Sequence, residues 1–469
     1  LQGQRVLSIY IGRTRKMNKK SNKDSVVAFG GAGWFHIIYM LLMFWFYVGM
    51  INDGSNNIAG NIAEAMGTTA GNISNCNAIA GVLGVIIFLI VGVVNRKIGA
   101  RMMSGINCII AGITYMGVLN APNTAVYTIM MAITCGTIMS AGYLCGGVLV
   151  ANWFPKKKGI VMGYTTMGHN LATAAFVPLI VFLVGKLGVH KAGLPISIAV
   201  IILGVVGLIF VRNTPFERNM YPDNVSKEVY EAEYDTDATD DGGWTTGKLL
   251  KCDQIWIVAI VTGVFQICSV GTMSQMVGRS TSLLVSFGAN EATATVTAVS
   301  IMSVCAVIGV VGSFLIGVLD QKIGTKKAMI FFGIWYACAL LCNFTNTKAG
   351  FWISIIMIGI GIGGSANFTT SLPASVFGRQ GYDKVNSVLF PIQGIITAMT
   401  FAINGFVMNM TGGNVRYAYI IDACLAVINV LLIVFFVKDH KYNRDWIAEQ
   451  EAKGEEVIGA VETVKVTNK

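Results

Sequence analysis

Charged residues are scarce in this chain of 469 residues. Asp, Glu, Lys and Arg together account for 12% of the sequence, whereas apolar residues account for 54%. A soluble domain carries about twice that share of charge. The charged surface is therefore too small to keep the chain in water, and an ordinary soluble protein is excluded unless lipid covers most of the apolar remainder.

Metal-binding and catalytic motifs are also lacking. The chain has only four His, and its ten Cys include no CxxC pair and lie mostly inside apolar runs. A zinc site needs such residues at close spacing, and no arrangement indicates a nucleophilic triad. The Gly-rich stretch 359–364 lies within an apolar run, where helix packing explains it better than a nucleotide-binding loop does. We therefore predict free thiols, no metal, no cofactor and no enzymatic activity.

Long apolar runs take up most of the chain. A helix that spans a membrane needs about 20 apolar residues, and in lipid a helix is the expected form of such a run because it satisfies its own backbone. The sequence therefore predicts an all-α membrane protein with twelve transmembrane helices. The twelve runs lie at 33–56, 72–94, 102–120, 124–151, 159–185, 192–212, 255–284, 290–318, 327–346, 349–377, 384–410 and 415–437.

Basic residues in the loops indicate the orientation. Alternate loops hold clusters such as Lys156–Lys158 and Lys326–Lys327, and the loops between them hold only scattered bases. Cytoplasmic loops are the ones enriched in Lys and Arg. We therefore expect both termini in the cytoplasm and the protein in the inner (plasma) membrane of the cell. Because this pattern accounts for the net charge of +10, we expect no nucleic-acid partner.

An internal repeat divides the chain into two halves. The tripeptide Lys-Ile-Gly at 97–99 recurs at 322–324, an offset of 225 residues (322 − 97), and Phe154 recurs as Phe377, an offset of 223 (377 − 154). The first 16 residues precede the first Met and are expected to be upstream sequence without a secretory signal. The predicted segments are a basic amino-terminal segment (1–32), a first six-helix bundle (33–212), a cytoplasmic linker (213–251), a second six-helix bundle (252–437) and a cytoplasmic tail (438–469).

These repeated loops carry a family resemblance. The stretches 92–101 and 317–326 each contain a Gly, a charged pair, a second Gly and a trailing cation, although Asn95 stands where an acid is expected. Both resemble the loop signature of the major facilitator superfamily. The stretch 152–163, NWFPKKKGIVMG, resembles the start of the fifth helix in the oxalate/formate antiporter and monocarboxylate-transporter branch, and the residues at 377–391 are similar to that branch as well.

The resemblance implies a fold and an activity. The implied fold has two pseudo-symmetric six-helix bundles that alternate access to a central site, and the implied activity is transport of small organic anions, usually monocarboxylates, by proton symport or anion exchange. In size and type the chain also resembles bile-acid proton symporters of anaerobic gut bacteria. The branch's oxalate exchanger is expected to hold its dianion between cations on the eighth and eleventh helices. Here the run 290–318 has no Lys or Arg, and the eleventh has only Lys384 at its start, so oxalate itself is not expected.

The resemblance also implies that the repeated loops form an inner gate. The glycines would allow a tight turn, and the charges would contact the ends of neighbouring helices. The predicted inner-gate residues are Gly92, Arg96, Gly99 and Arg101 in the first loop and Asp320, Lys322, Gly324 and Lys326 in the second.

One ionisable residue is predicted near the middle of the membrane. His169 lies ten residues past Gly159, about 15 Å along a helix, and the repeat offset carries this position to Gln393. Ionisable groups at such depth are costly and functional by default. We predict that the pair forms a substrate site in which His169, which ordinarily titrates near pH 6.5, binds a carboxylate or carries a coupled proton. The alternative is a histidine that is hydrogen-bonded to neighbouring helices and faces no cavity.

Other polar residues are candidates for the same cavity or for an outer gate. Tyr143, Gln266 and Asn367 are predicted to contact substrate, or else to form ordinary hydrogen bonds between helices. Asp53 and Arg279 lie near the outer ends of the first and seventh runs, which are repeat equivalents. They are predicted either to pair as an outer gate, to act separately with Arg279 attracting anions, or to be two unrelated solvated groups.

The sequence therefore predicts a secondary active transporter of a small organic anion, coupled to protons or to anion exchange. Its expected partners are the lipid bilayer, the substrate anion and protons, and it is expected to work as a monomer. One alternative is a drug or cation exporter of the same fold, which a buried acid at mid-depth would favour. The other is a membrane sensor or scaffold, which would need a signalling domain that neither the linker nor the tail is long enough to form.

Overall fold

The fold is described from a computed structural model. It describes residues 29–155, 157–233, 244–378, 382–443 and 446–447, and within these ranges the side chains of Arg96, Lys158, Ala232, Glu233 and Asp383 are left out. Most of the predicted amino-terminal segment and tail, part of the linker, and the basic residues Lys156 and Arg379 lie outside the described residues.

Twelve helices in the described residues are long and apolar enough to cross a membrane. The predicted all-α membrane fold is thereby confirmed. In chain order these helices, here α1 to α12, span Gly30–Asn57, Ala70–Asn95, Ala100–Leu119, Thr124–Trp153, Ile160–Leu187, Val189–Phe210, Asp253–Ser274, Glu291–Ile323, Thr325–Phe344, Lys348–Phe377, Lys384–Met410 and Arg416–Phe436. The α2 helix continues to Ile98, α5 begins at Lys158, and α11 begins at Tyr382.

The predicted helix bounds agree with the structure to within a few residues except at the seventh run. That run was expected to continue to residue 284, but α7 ends at Ser274 and a separate helix follows at Met276–Ser286. Hydropathy could not locate the break, because both sides of it are apolar. The break occurs at Gln275, whose backbone leaves the helical conformation (φ −110°, ψ 2°).

Three helices of the first half contain a π-helical segment. These segments lie at Val48–Asp53 in α1, Ser140–Cys145 in α4 and Ala172–Phe176 in α5. A π-segment inserts an extra residue into the helical turn and re-aims the side chains around it, and such segments are frequent at functional sites. The first two contribute Ile51, Asn52 and Tyr143 to the cavity described below, and the third begins three residues after His169.

The helices form two bundles, each with its own apolar core. Side chains of α1 to α6, such as Tyr115 and Phe176, form one core, and side chains of α7 to α12, such as Phe332 and Phe368, form most of the other. Large apolar side chains that point away from both cores, such as Phe314 (70% exposed), are left for lipid to cover. We call the membrane face next to the 213–251 segment the linker side and the opposite face the far side.

The repeat predicted from the sequence has a matching local geometry in the two bundles. Gly99 and Gly324 follow the ends of α2 and α8 with φ of +93° and +85°, a conformation that favours glycine. Two residues later, Arg101 donates from Nε and Nη2 to the Leu208 carbonyl at the end of α6 (3.2 and 2.7 Å). Lys326 donates from Nζ to carbonyls at the end of α12 (3.1 and 2.8 Å). Each cation thus binds the negative end of a helix dipole.

Candidate functional site

A cavity lies between the two bundles at mid-membrane. The space has a volume of about 770 Å³, part of which is open to solvent. The centre of a water molecule can occupy about 90 Å³ of it, so the cavity is narrow in this state. The polar side chains that line it are Tyr47, Asn52, Tyr143 and His169 of the first bundle and Gln266, Thr369, Gln393 and Thr397 of the second.

An amide network forms the wall of the cavity on the second bundle. The Thr369 hydroxyl donates to the Ser365 carbonyl (3.0 Å) and accepts from the side-chain amides of Gln266 (3.2 Å) and Gln393 (3.3 Å). Because the hydroxyl has only one proton, both amides must donate to it, which fixes their orientation. Gln393 Oε1 is then left buried without a hydrogen-bond partner among the described residues.

Aromatic rings surround His169 on the wall formed by the first bundle. The Phe44 ring meets the imidazole edge-on at a centroid distance of 4.9 Å, and the rings of Tyr47 and Tyr143 lie at 6.2 Å. Within the described residues, His169 Nε2 is buried and has no hydrogen-bond partner. A buried polar atom of this kind costs free energy unless a ligand or water satisfies it.

The cavity lacks a fixed charge among its described lining residues. No Asp, Glu, Lys or Arg lines it, and the apolar groups Ile51, Val85 and Phe390 complete its wall. The described residues also contain no group of three or more His, Cys, Asp or Glu side chains placed to hold a metal ion. The available chemistry is therefore hydrogen bonding by neutral groups, contact with aromatic rings, and protonation of His169.

Four of the five predicted substrate-site residues line this cavity: His169, Gln393, Gln266 and Tyr143. Asn367 does not line it, because its amide donates to the Ser313 carbonyl (2.7 Å) and joins α10 to α8 instead. The sequence reasoning missed the other four polar lining residues, Tyr47, Asn52, Thr369 and Thr397. Thr369 follows Asn367 by two residues and so lies on another face of α10, and Asn52 precedes Asp53 in the π-segment of α1.

The predicted ion pair between Asp53 and Arg279 is not formed. Asp53 is buried and accepts a hydrogen bond from Thr173 on α5. Arg279, 4% exposed, donates to Asn343 Oδ1 and the Asn343 carbonyl (both 2.8 Å) and to Asn346 Oδ1 (2.5 Å). Each side chain is thus engaged within its own bundle. The alternative of two solvated groups is also wrong, because both residues are buried. The alternative in which Arg279 attracts anions stays a prediction.

Amides join the bundles on the far side where the ion pair was expected. Asn57 of α1 donates to the Met273 carbonyl and accepts from the Val277 backbone N–H, both at 3.3 Å. Its side chain therefore bridges the α7 break at Gln275 as a backbone amide would. Farther along, Asn409 of α11 donates to Asn72 of α2 (3.1 Å).

The closest approach of the bundles is between α2 and α11. A Cβ placed on Gly71 would lie 2.9 Å from the Gly405 carbonyl oxygen, and one on Gly405 would lie 2.7 Å from the Gly71 carbonyl oxygen. A Cβ on Gly81 would lie 2.8 Å from the Ala398 Cβ. We call this contact the α2–α11 seam. Together with the Asn57 bridge, it closes the cavity on the far side.

The predicted inner-gate residues divide into turn residues and helical residues. Gly99 and Gly324 occupy turns that require glycine, and Arg101 and Lys326 bind helix ends in their own bundles, as described above. Gly92 and Asp320 lie inside α2 and α8, so Gly92 does not form a turn as expected. Both helices continue past the apolar runs, because backbone hydrogen bonds can form a helix from polar residues as well. Lys322 is exposed, and the Arg96 side chain lies outside the described residues.

Comparison with known proteins agrees with this architecture. The family described as the Major Facilitator Superfamily matches residues 40–381 and 255–467. An uncharacterized MFS-type transporter, YhjX of Escherichia coli (strain K12), is 19% identical over 304 residues, which cover 64% of this chain and 70% of that protein. The oxalate:formate antiporter of Oxalobacter formigenes is 27% identical over 169 residues, 34% of this chain and 35% of that protein.

Solved structures share the fold at low sequence identity. A D-xylose-proton symporter superposes with a TM-score of 0.63 at 13% identity, covering 88% of this chain and 99% of that chain. A mutant of the nucleoside transporter NupG superposes with a TM-score of 0.63 at 13% identity, covering 86% of this chain and 99% of that chain. At these identities the likeness establishes the arrangement of the helices only.

Proposed function

The chain belongs to the Major Facilitator Superfamily and is a secondary transporter of that type, and on this basis we propose that its substrate is a small organic monoanion, namely a monocarboxylate. The transport cycle alternates access to the cavity between the bundles, by proton symport or by exchange of anions. We further propose that His169 and Gln393 hold the substrate from the two bundles.

The observation that carries this proposal is the pair of unpartnered polar atoms in one cavity. His169 Nε2 and Gln393 Oε1 lie on opposite bundles, line the same space and have no hydrogen-bond partner in the described part of the chain. A substrate that bridges them satisfies both atoms and links the two bundles. His169 can donate to the carboxylate of the substrate, and Gln393 Oε1 can accept from a hydroxyl group elsewhere on the same anion.

The charge of the lining favours a monoanion over a dianion. The described lining residues include no Lys or Arg, so His169 is the one group among them that could take up a proton to become a cation. A dianion would need more positive charge to offset the loss of its hydration. The resemblance to the oxalate:formate antiporter of Oxalobacter formigenes supports a small carboxylate, while the cavity chemistry favours a formate-like charge over an oxalate-like charge.

A second candidate is transport of an organic cation, favoured by the aromatic rings. Tyr47, Tyr143 and Phe390 line the cavity, and their faces can attract a cation. The absence of a lining carboxylate among the described residues argues against this candidate, since Asp53 is bonded to Thr173 and does not line the space.

Transport by purified protein in liposomes tests the proposal. A panel of labelled monocarboxylates, dicarboxylates and organic cations of similar size is offered with unlabelled substrate inside and no ion gradient. We expect exchange of a monocarboxylate, competition by other monocarboxylates, and little competition by dicarboxylates. Exchange of cations with no monocarboxylate exchange would establish the second candidate instead, and exchange of dicarboxylates alone would overturn the charge argument.

The proposal also includes the orientation, with the linker side in the cytoplasm. A single cysteine introduced at Ser226, in the linker of a cysteine-depleted variant, should resist an impermeant thiol reagent in sealed cells. It should react once the membrane is permeabilised. Labelling before permeabilisation would reverse the proposed orientation.

A further inference from the structure

Asp422 is a buried acid that the proposed substrate site does not use. It lies on α12, six residues past Arg416 and therefore about 9 Å from the far-side end of the helix. The side chain is 1% exposed, and its Oδ2 has no hydrogen-bond partner among the described residues. An ionised carboxylate held in this way is costly unless a cation offsets its charge.

Other unsatisfied or small groups surround this carboxyl group. A Cβ placed on Gly271 of α7 would lie 2.7 Å from Asp422 Oδ2 and 3.3 Å from Thr400 Cγ2 of α11. The Thr400 hydroxyl is also buried without a partner in the part of the chain that the structure describes. Because Gly271 has no side chain, a small space remains at this position. The Asp422 carboxyl group and the Thr400 methyl group both border that space.

The described titratable groups next to Asp422 are thiol and phenol groups, and no cation is bonded to its carboxyl group. On α7, Cys268 donates its thiol to the Asp422 backbone carbonyl (3.3 Å). On α12, Tyr419 donates to the Thr272 carbonyl (3.0 Å), and Tyr336 of α9 lies near both Cys268 and Tyr419. The guanidinium of Arg279 is near Tyr419 but is bonded to Asn343 and Asn346. None of these contacts supplies a counter-ion to Asp422.

Asp422 is also separated from the cavity by α11. Thr397, Ala398 and Phe401 of that helix line the cavity, whereas Thr400 approaches the Gly271 position beside Asp422. A movement of α11 that changes access to the cavity must therefore also change the surroundings of this carboxyl group.

We propose that Asp422 is the site of the coupled proton, which it holds as a neutral carboxyl group while the far side is closed. This inference rests on the proposed function and specifies its coupling ion. The step is a proton transfer alone: the carboxylate takes one proton from water when α11 exposes it, and the O–H bond later breaks to return the proton to water. With one monocarboxylate carried per proton, the cycle moves no net charge.

Proteoliposomes test this inference through two separate readouts. Exchange without a gradient reports substrate binding and conformational change, whereas accumulation under a pH gradient reports coupling. One pH unit corresponds to about 1.4 kcal/mol and should support about tenfold accumulation by a one-to-one symporter. We expect Asp422→Asn, which keeps the size of the side chain but cannot titrate, to lose this accumulation while still exchanging substrate.

A matched control and a second variant make the test decisive. Asp253→Asn removes a carboxylate that binds Lys441 outside the cavity and should leave accumulation unchanged. Thr400→Val keeps the shape of the side chain that approaches the Gly271 position beside Asp422 and removes its hydroxyl, which is buried without a partner in the described residues. It should shift the pH dependence of accumulation even if Asp422→Asn does not fold. A pH indicator inside the vesicles should report proton entry with substrate in the wild type and none in Asp422→Asn.

Different experimental outcomes would overturn the assignment of Asp422 and the proposed transport of monocarboxylates. Wild-type accumulation and proton entry in Asp422→Asn would overturn the assignment of Asp422. So would exchange by the wild type with no response to a pH gradient, or accumulation driven by a sodium gradient instead, although the proposed substrate class would stand. The absence of monocarboxylate exchange in the wild type would overturn the proposed function itself.

Discussion

The two six-helix bundles share a scaffold but differ in the chemistry that they bring to the cavity. In the first bundle, α1, α4 and α5 each contain a π-segment, and His169 faces the cavity with no hydrogen-bond partner in the described residues. In the second, α10 and α11 continue as α-helices through Pro373 and Pro391, and the cavity wall is a network of neutral amides around Thr369.

This difference indicates which features of the repeat are constrained by folding. The turns after α2 and α8 keep glycine at positive φ and a cation that binds a helix end, because these features stabilise each bundle separately. The cavity walls face each other across one substrate, so they need to be complementary and not alike. A donor on one wall and an acceptor on the other can bind the carboxylate and a hydroxyl group of one substrate.

The largest expected effect comes from the seam where the bundles meet. In Gly405→Val, the added side chain must enter the space occupied by the Gly71 carbonyl. Overpacking costs about 1–3 kcal/mol and should lower the transport rate about 10- to 100-fold by preventing far-side closure.

Gly185→Val is the matched control for this prediction, since no atom lies within 4 Å of a Cβ at that position. It should transport at the wild-type rate. Equal rates for Gly405→Val and the wild type would mean that the seam does not close during transport.

The two cavity walls should differ in their effect on substrate affinity. His169→Gln replaces a ring nitrogen that can carry a positive charge towards a carboxylate with a neutral amide, and a hydrogen bond to a charged group contributes about 1.5–3 kcal/mol. We expect its KM to rise about 10- to 100-fold, against about 2- to 10-fold for Gln393→Leu, which removes a neutral partner. Accumulation driven by a pH gradient should persist in His169→Gln.

His190→Gln provides the control, because this histidine binds the Leu119 carbonyl away from the cavity. It should keep the wild-type KM. An unchanged KM in His169→Gln with loss of accumulation would move the coupled proton from Asp422 to His169. Wild-type behaviour in every respect would leave His169 a packing role only.

A smaller effect is expected from the Asn57 bridge, where the first bundle binds the broken helix of the second. Asn57→Leu leaves the Met273 carbonyl and the Val277 N–H without this partner, at a cost of about 1–3 kcal/mol for each buried group. The far-side-closed state should become less populated.

A single cysteine at Ser274 in a cysteine-depleted variant should then react faster with an impermeant thiol reagent. Asn120→Leu, which removes a far-side contact within one bundle, should leave this rate unchanged. A rate unaffected by Asn57→Leu would show that the bridge does not hold the far side closed.

The smallest effect should come from the symmetric scaffold. Arg101→Met and Lys326→Met each remove a cation from the end of a helix, which contributes about 0.3–1 kcal/mol. Thermal unfolding of the purified variants should show small and similar decreases in Tm. A decrease in one variant alone would mean that the two turns are not equivalent in stability.

The sequence predicts the twelve helices well because the requirement for about 20 apolar residues is local. It does not predict the α7 break, since the groups left free there are satisfied by Asn57, which is more than 200 positions away in the chain. The π-segments are missed for a related reason. Their sequences, VGMIND, SAGYLC and ATAAF, share no pattern that marks them, and packing between helices decides where the extra residue is accommodated.

The candidate site is predictable where depth and the repeat coincide. His169 and Gln393 were identified from one estimate of depth and one offset, and both line the cavity. Depth alone does not determine which face of a helix a residue occupies, and Asn367 therefore failed as a cavity residue. Asp53 and Arg279 failed as a pair because matching depth and opposite charge do not reveal the closer partners, Thr173 and Asn343, within each bundle.

The α2–α11 seam has a consequence for energy conservation. At Gly71 and Gly405 the two backbones approach each other closely, and the side chains of Asn409 and Asn75 pack beside them, which leaves little room for a file of water molecules. Protons cross membranes readily along such files, and a cell that stores energy as a pH gradient loses it through any protein that leaks between turnovers. We therefore expect the small residues at this crossing to limit proton leakage, because they let the bundles approach closely when the far side is closed.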